Sequence, residues 1–129
     1  MTGVTRHEAR ERALGLLYEA ELKHLDPREV LSELSMAPDP YCALLVTLAG
    51  EHQDESRRTI EATAVNWPID RIGVIDRLVM ELALAESRGE DPPPRAVILN
   101  EAVELARDYS TDSSGSFVNG ILATAIPET

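Results

Sequence analysis

The chain has 129 residues, 43% of them hydrophobic but only 4% aromatic, and 12 basic against 23 acidic residues give a formal net charge of −11 at pH 7. This length fits one compact domain with a substantial core. The scarcity of aromatic residues favours an aliphatic core built from helices rather than strands. The negative charge opposes the approach of a polyanion, so nucleic-acid binding would require a locally basic surface.

Several classes of protein are excluded by missing features. The lone Cys42 rules out an internal disulfide, and no basic segment followed by an apolar one opens the chain as a secretory signal would. No apolar run approaches the roughly 20 residues that span a bilayer, so we predict a soluble, cytoplasmic protein without a membrane partner. His7, His24 and His52 lack metal-site spacing, and no phosphate loop or nucleophile motif occurs. We therefore predict no metal, no cofactor and no catalytic residue.

Helix start signals mark the first third of the chain. Thr5 and Glu8 have the spacing of a capping box, in which each side chain accepts a backbone N–H of the other residue. Asp26 and Asp39 each precede a proline, which is favoured at the first position of a helix. These signals predict three helix starts.

Apolar residues then repeat at intervals of three and four, which is the helical period. Four such stripes cover residues 9–20, 44–60, 72–83 and 98–109. Proline, glycine and polar residues interrupt the pattern at 66–68, 89–94 and 110–115. We predict an all-α protein with about six to seven helices, forming a single domain over 1–129. Its helices divide into an N-terminal bundle in 1–66 and a C-terminal bundle in 67–129.

The dipeptide Asn119-Gly120 is a strong hairpin signal when strands flank it. The neighbouring apolar residues share one helical face instead: Phe117, Val118, Ile121, Leu122 and Ala125. Helix is therefore the better interpretation, with Pro127 beyond its end. Because glycine is unfavourable inside a helix, we expect Gly120 to allow the close approach of another backbone.

Two charged groups have a structural and a functional interpretation. Arg6, Arg10 and Arg12 are interspersed with acidic residues, so they form either a solvated face with ion pairs or a patch that contacts phosphates. Glu101 and Glu104 are better explained as a solvated helix face than as an acid–base pair.

Two motifs near the C-terminus point to a known family. They are Asn-Glu-Ala-Val-Glu-Leu-Ala at 100–106 and Phe-Val-Asn-Gly at 117–120, separated by a short polar loop. With Trp67, residues 75–77 and 82–83, and residues 9–14 and 17–18, they resemble the NusB family of transcription antitermination factors. The resemblance covers nearly the whole chain in order.

The resemblance implies a NusB-like fold of two three-helix bundles packed across one another. It also implies binding to the single-stranded boxA element of nascent ribosomal RNA leader transcripts, together with the ribosomal protein NusE. The two proteins would join an antitermination complex on RNA polymerase and support processive transcription of ribosomal RNA. The family has no catalytic residues and no cofactor. It includes monomers and dimers, so the resemblance leaves a homodimer open.

The resemblance also assigns RNA-binding residues by position. They are Arg6, His7, Arg10, Arg12, Tyr18, Asp76, Arg77, Asp112, Ser113, Ser116 and Phe117. Guanidinium groups neutralise phosphates, exposed rings stack on single-stranded bases, and polar side chains bond to base edges.

This chain departs from the family pattern where it carries Glu81 and Gly115-Ser116 in place of basic residues, and it has fewer arginines before the first helix. We therefore expect weak RNA binding by the chain alone and dependence on its basic partner. One alternative is a protein-interaction module that binds NusE with little RNA affinity of its own. A third interpretation, to which we give little weight, is a free-standing copy of the NusB-like domain that is fused to RNA cytosine methyltransferases.

Overall fold

A computed structural model describes residues 3–128, which form seven α-helices and one 3₁₀ turn. The helices are α1 (Arg6–Lys23), α2 (Pro27–Ser32), α3 (Pro40–Glu51), α4 (Gln53–Thr63), α5 (Val74–Ser87), α6 (Arg95–Tyr109) and α7 (Ser114–Ala125). The 3₁₀ turn, Ile69–Arg71, lies just before α5. The prediction of an all-α protein with about six to seven helices is confirmed.

The predicted helix starts are present at α1, α2 and α3. The Thr5 hydroxyl accepts the Glu8 amide at 3.0 Å, and the Glu8 carboxylate accepts the Thr5 amide at 3.0 Å. Asp26 caps α2 in the same reciprocal way, and Asp39 accepts two backbone amides at the start of α3. These caps satisfy donors that the first turn of a helix leaves free.

The stripe over residues 44–60, which has the pattern of one long helix, is divided at His52. This residue has φ −104° and ψ 12°, and it closes α3 and opens α4. The division lets α3 pack on α1, α2 and α5 while α4 packs on α5 and α7. Tertiary packing here overrides a periodicity that is local to the sequence.

Helix α5 lies at the centre of the molecule and contacts α1, α3, α4, α6 and α7. All its residues from 78 to 86 are buried, as expected for a helix surrounded by others. Helices α1, α2 and α3 pack together on one side, and α6 and α7 pack together on the other. The predicted N-terminal bundle, residues 1–66, includes α4 because of its place in the chain. In the structure α4 packs against α5 and α7.

Helix α7 contains the Asn119-Gly120 dipeptide, so the helical interpretation is confirmed. Val118, Ile121 and Leu122 are buried in the core. The expectation for Gly120 is wrong, because the residue is exposed and a Cβ added there would meet no atom within 4 Å. The close approach in this helix occurs at Gly115, whose added Cβ would lie 3.0 Å from Nε of Arg107.

Within residues 3–128, none of the helices is long and apolar enough to cross a membrane.

Candidate nucleic-acid interface

Two arginines at the start of α1 present their charge to solvent. The guanidinium carbon of Arg6 lies 3.7 Å from the centroid of the Tyr41 ring, a cation–π contact that orients the side chain. Arg12 is exposed on the same helix. Neither arginine forms a salt bridge with an acidic residue in the described part of the chain. Both charges are therefore available to a phosphate.

Arg10 lies on the inner side of the same helix and is 3% exposed. It donates to both oxygens of Glu86, from Nε at 3.0 and 3.1 Å and from Nη2 at 2.8 Å. The Tyr41 hydroxyl donates to the same carboxylate. Burial, followed by this hydrogen bond, raises the pKa of Tyr41 to about 12, so the phenol stays protonated. In this structure the Arg10 guanidinium contacts Glu86 instead of solvent.

His7 is surrounded by carboxylates from two helices. Its Nδ1 lies 2.7 Å from Glu101 and 3.8 Å from Glu104 on α6, and its Nε2 lies 3.7 Å from Glu11. The hydrogen bond with Glu101 is the main cause that raises the pKa of His7. In the sequence His7 is an isolated histidine. In the fold, a ring nitrogen of His7 and one carboxylate oxygen each of Glu101 and Glu104 lie within 4.8 Å of one another.

Arg77 is engaged by acidic side chains on two helices. Its guanidinium donates to Glu21 of α1 and to Glu81 of α5, each at 2.6 Å, and Arg57 of α4 also contacts Glu81 at 3.2 Å. The hydrogen bond from Arg77 is the main cause that lowers the pKa of Glu21. Glu81 is buried within this network, so its charge is balanced locally.

The remaining predicted residues lie on exposed surface or at the start of α5 and α7. Tyr18 is 38% exposed on α1. Asp112, Ser113 and Ser116 are exposed around the start of α7. Asp76, in the first turn of α5, accepts a hydrogen bond from the Ser114 hydroxyl at 3.0 Å. This contact joins the first turns of α5 and α7.

Phe117 packs partly on the core and partly against Trp67. The two ring centroids are 6.1 Å apart, with an interplanar angle of 79°. A cavity of about 260 Å³ lies beside them. Its lining comprises Trp67, Arg71, Ile72, Gly73, Asp76, Thr111, Ser113, Ser114 and Phe117.

The structure therefore separates the predicted site residues into three environments. Arg6, His7, Arg10 and Arg12 share the start of α1, where Arg10 is withdrawn into the interior. Arg77 belongs to the ion-pair network with Glu21. The third group surrounds the cavity at the starts of α5 and α7. It comprises Asp76, Ser113 and Phe117 in the cavity lining, with Asp112 and Ser116 exposed nearby.

Sequence reasoning missed the residues that organise these groups: Tyr41, Glu86, Trp67, Arg71 and Ser114. Trp67 carries the clearest signal that could have identified it, because an isolated tryptophan beside a proline and a polar loop is unusual for a core position. The Arg10–Glu86 pair joins residues 76 positions apart, so local sequence carries no signal for it.

Comparison with known proteins identifies the family. The NusB family model matches residues 7–127. A transcription antitermination protein NusB from Acidothermus cellulolyticus is 42% identical over 122 residues, covering 92% of this chain and 84% of that protein. The structure of T. maritima NusB superposes with a TM-score of 0.85 at 27% identity, covering 97% of this chain and 92% of that one.

A second solved structure holds the antitermination factors NusB and NusE in complex with double-stranded RNA. It superposes with a TM-score of 0.74 at 29% identity and covers 94% of this chain and 95% of that one. The family is not enzymatic, in agreement with the prediction that the chain is not an enzyme. The family match, the identity and the superposition together show that this chain belongs to the NusB family of transcription antitermination proteins.

Proposed function

We propose that this protein binds boxA-type single-stranded RNA of ribosomal RNA leader transcripts together with NusE in the cytoplasm. It thereby joins the antitermination complex on RNA polymerase and supports processive transcription of ribosomal RNA. The observation that carries the proposal is the superposition, over 94% of this chain, on a NusB that was solved with NusE and double-stranded RNA.

The geometry supports two RNA-contacting regions. At the start of α1, Arg6 and Arg12 offer charges without a salt-bridge partner in residues 3–128, and His7 and Tyr18 lie on the same helix. At the starts of α5 and α7, Asp76, Asp112, Ser113, Ser116 and Phe117 supply polar groups and a ring. Most phosphate contacts would come from the first region, and the base contacts would come from the second.

Arg10 and Arg77 enter this proposal in a different role from the exposed arginines. Each is held by carboxylates, Arg10 by Glu86 and Arg77 by Glu21 and Glu81. These ion pairs hold α1 and α5 in place, and both helices carry side chains that we propose to contact RNA. Either guanidinium could contact a phosphate directly only if its ion pairs with these carboxylates were broken.

The dependence on NusE follows from charge. A net charge of −11 repels RNA at long range, and the ion pairs of Arg10 and Arg77 remove two of the arginines from the basic surface. A basic partner would supply the missing phosphate contacts. The same ion pairs favour the second candidate function, a module that binds NusE and contributes little RNA affinity of its own.

Titration of boxA RNA into this protein, into NusE and into their mixture separates the two functions. The proposed function predicts that the mixture binds RNA more tightly than NusE alone. It also predicts that Arg6→Glu and Arg12→Glu weaken this binding and lower its salt dependence.

Arg58→Glu is the matched control, because Arg58 is an exposed arginine of α4 outside both regions and the substitution makes the same change of charge. If NusE binds RNA equally well with and without this protein, the interaction-module function stands instead.

A further inference from the structure

Trp67 is the single tryptophan of the chain, and it is 52% exposed. Its indole meets the ring of Phe117 edge to face, which holds it beside the cavity at the starts of α5 and α7. An exposed ring that is already oriented loses little conformational freedom when a planar ligand stacks on it. Trp67 is therefore suited to stacking on a nucleobase.

The size of the adjoining cavity limits what it could hold. Its volume of about 260 Å³ lies below the roughly 300–1,000 Å³ of pockets that take drug-sized ligands. One planar ring system fits this volume better than a larger ligand does. The lining is mixed and combines apolar Trp67, Ile72 and Phe117 with hydroxyl and carboxylate groups.

Asp76 provides an acceptor whose second oxygen is free. Oδ2 accepts from the Ser114 hydroxyl at 3.0 Å, whereas Oδ1 is buried and makes no hydrogen bond within residues 3–128. Buried polar atoms in proteins are nearly always paired. A ligand N–H group that reaches Oδ1 would satisfy it, and a hydrogen bond to a carboxylate is stronger than one between neutral groups.

Arg71 supplies a positive charge at the same cavity. It is exposed, lines the cavity, and forms no salt bridge in the part of the chain that the structure describes. A stacked ring, an acceptor for a base edge and a cation for a phosphate are the three contacts that an unstacked nucleotide requires.

We propose that Trp67, Phe117 and Asp76 form a pocket for one unstacked base of single-stranded RNA, with guanine preferred. This proposal rests on the proposed RNA-binding function and names the base that its second region reads. The base stacks on Trp67, its edge donates to Asp76, and Arg71 neutralises the phosphate. Guanine is preferred because its Watson–Crick edge presents two adjacent N–H donors, N1–H and N2–H, for Oδ1 and for the lone pair of Oδ2 that Ser114 does not use. The other three bases place an acceptor next to each donor, and that acceptor would face the carboxylate.

The test uses the complex of this protein with NusE and a boxA-type leader RNA. Two RNA series replace each nucleotide in turn by an abasic residue and each guanine by inosine, which lacks the N2 amino group. We expect one guanine at which the abasic residue weakens binding about 10-fold, within the range for base stacking on an aromatic side chain. The same abasic RNA should restore the Trp67 fluorescence that the unmodified RNA quenches.

Three variants assign this effect to the pocket. Trp67→Ala should reduce the abasic effect at that position to less than about 2-fold, whereas Trp67→Phe should keep most of it because a ring remains. Asp76→Asn should abolish the preference for guanine over inosine while it preserves the shape of the side chain. Tyr109→Ala is the control, because Tyr109 is a similarly exposed aromatic residue that lies outside the cavity lining.

The outcomes distinguish the pocket from the wider function. If the complex binds RNA and neither Trp67→Ala nor Asp76→Asn changes the effect of any position, the pocket is overturned and the proposed function stands. If the position at which the abasic residue weakens binding, and at which Trp67→Ala removes this effect, carries adenine, cytosine or uracil in the leader RNA, the guanine assignment is overturned. If the wild-type complex does not bind the leader RNA at all, the proposed function and the pocket both fail.

Discussion

Arg10 and Glu86 form a bidentate ion pair in the interior of the protein, with both side chains at most 4% exposed. The pair joins α1 to α5, and the Tyr41 hydroxyl brings α3 to the same carboxylate. A side chain that the family resemblance assigns to RNA is thus also a link between three helices. This buried contact positions the start of α1, the segment that we propose contacts RNA.

Arg10→Ala should destabilise the fold by about 3–5 kcal/mol, because it leaves the buried Glu86 carboxylate without its cation. Urea unfolding followed by circular dichroism measures this change. Lys23→Ala is the control, since Lys23 pairs with Glu19 on the exposed surface and its loss should destabilise the fold far less than Arg10→Ala does. Replacing both Arg10 and Glu86 by apolar residues should recover much of the loss. Equal effects of Arg10→Ala and Lys23→Ala would contradict the structural role of the pair.

Protonated His7 should stabilise the fold at mildly acidic pH. Glu101, Glu11 and Glu104 raise the pKa of His7 above its ordinary value of 6.5, with the Glu101 hydrogen bond as the largest cause. For a raised pKa, the stabilisation is complete below the unfolded value and disappears as the pH rises through the folded value. The free energy of unfolding of wild type relative to His7→Gln should therefore be largest well below pH 6.5 and fall as the pH rises above 6.5.

His24→Gln is a control for the loss of one imidazole, and added salt should reduce the His7 effect because His7 is partly exposed. A difference between wild type and His7→Gln that grows with pH would refute this assignment.

Glu81→Lys should destabilise the protein by about 3–5 kcal/mol, although it restores a basic residue that the family pattern carries. The new ammonium group would be buried next to Arg57 and Arg77, which now contact the Glu81 carboxylate at 3.2 and 2.6 Å. Ser116→Lys places a lysine at an exposed position of α7, where it replaces no carboxylate, so the stability of the protein should change by less than about 0.5 kcal/mol. Thermal unfolding compares the two.

Under the proposed function, Ser116→Lys should also increase the salt dependence of RNA binding by about one unit of slope. If Ser116→Lys destabilises the protein and Glu81→Lys does not, the ion pairs of Glu81 with Arg57 and Arg77 do not stabilise the fold.

Gly120→Ala should stabilise the protein by about 0.5–1 kcal/mol, because alanine lowers the backbone entropy of the unfolded chain and nothing obstructs its Cβ. Gly115→Ala in the same helix should give a smaller gain or a loss, since its Cβ would lie 3.0 Å from Nε of Arg107 and 3.3 Å from Cγ1 of Val103. Denaturant unfolding of the two variants measures the difference. A larger gain at Gly115 than at Gly120 would show that the packing around α7 differs from this structure.

The elements of the fold could be predicted because their signals are local. The caps at Thr5, Asp26 and Asp39 and the helical period of the apolar residues each depend on residues within one or two turns. The same is true of the last helix, where a face of five apolar residues outweighed a turn dipeptide. The break at His52 was missed because the apolar period continues through it, and the packing partners of α3 and α4 decide it.

The candidate site was only partly predictable. The resemblance selected positions along the chain, and the fold then gave neighbouring positions different environments. Arg6 and Arg10 differ by about one turn of helix, yet Arg6 stays exposed over a tyrosine ring while Arg10 is buried on Glu86. From the sequence, Trp67 is named only among the residues that carry the family resemblance, and the tertiary structure places it in the lining of a cavity with Asp76 and Phe117.

Amino-acid order alone determined the all-helical class, the capped starts of α1, α2 and α3, and the family, because propensity, capping and motif spacing act between near neighbours. Tertiary structure decided which charges remain free: Arg10 and Arg77 meet carboxylates 76 and 56 positions away in the chain, whereas Arg6 and Arg71 form no salt bridge within residues 3–128. The sequence does not distinguish a paired arginine from an unpaired one. Its availability to RNA depends on acidic partners that lie far from it in the sequence and reach it only when the helices pack.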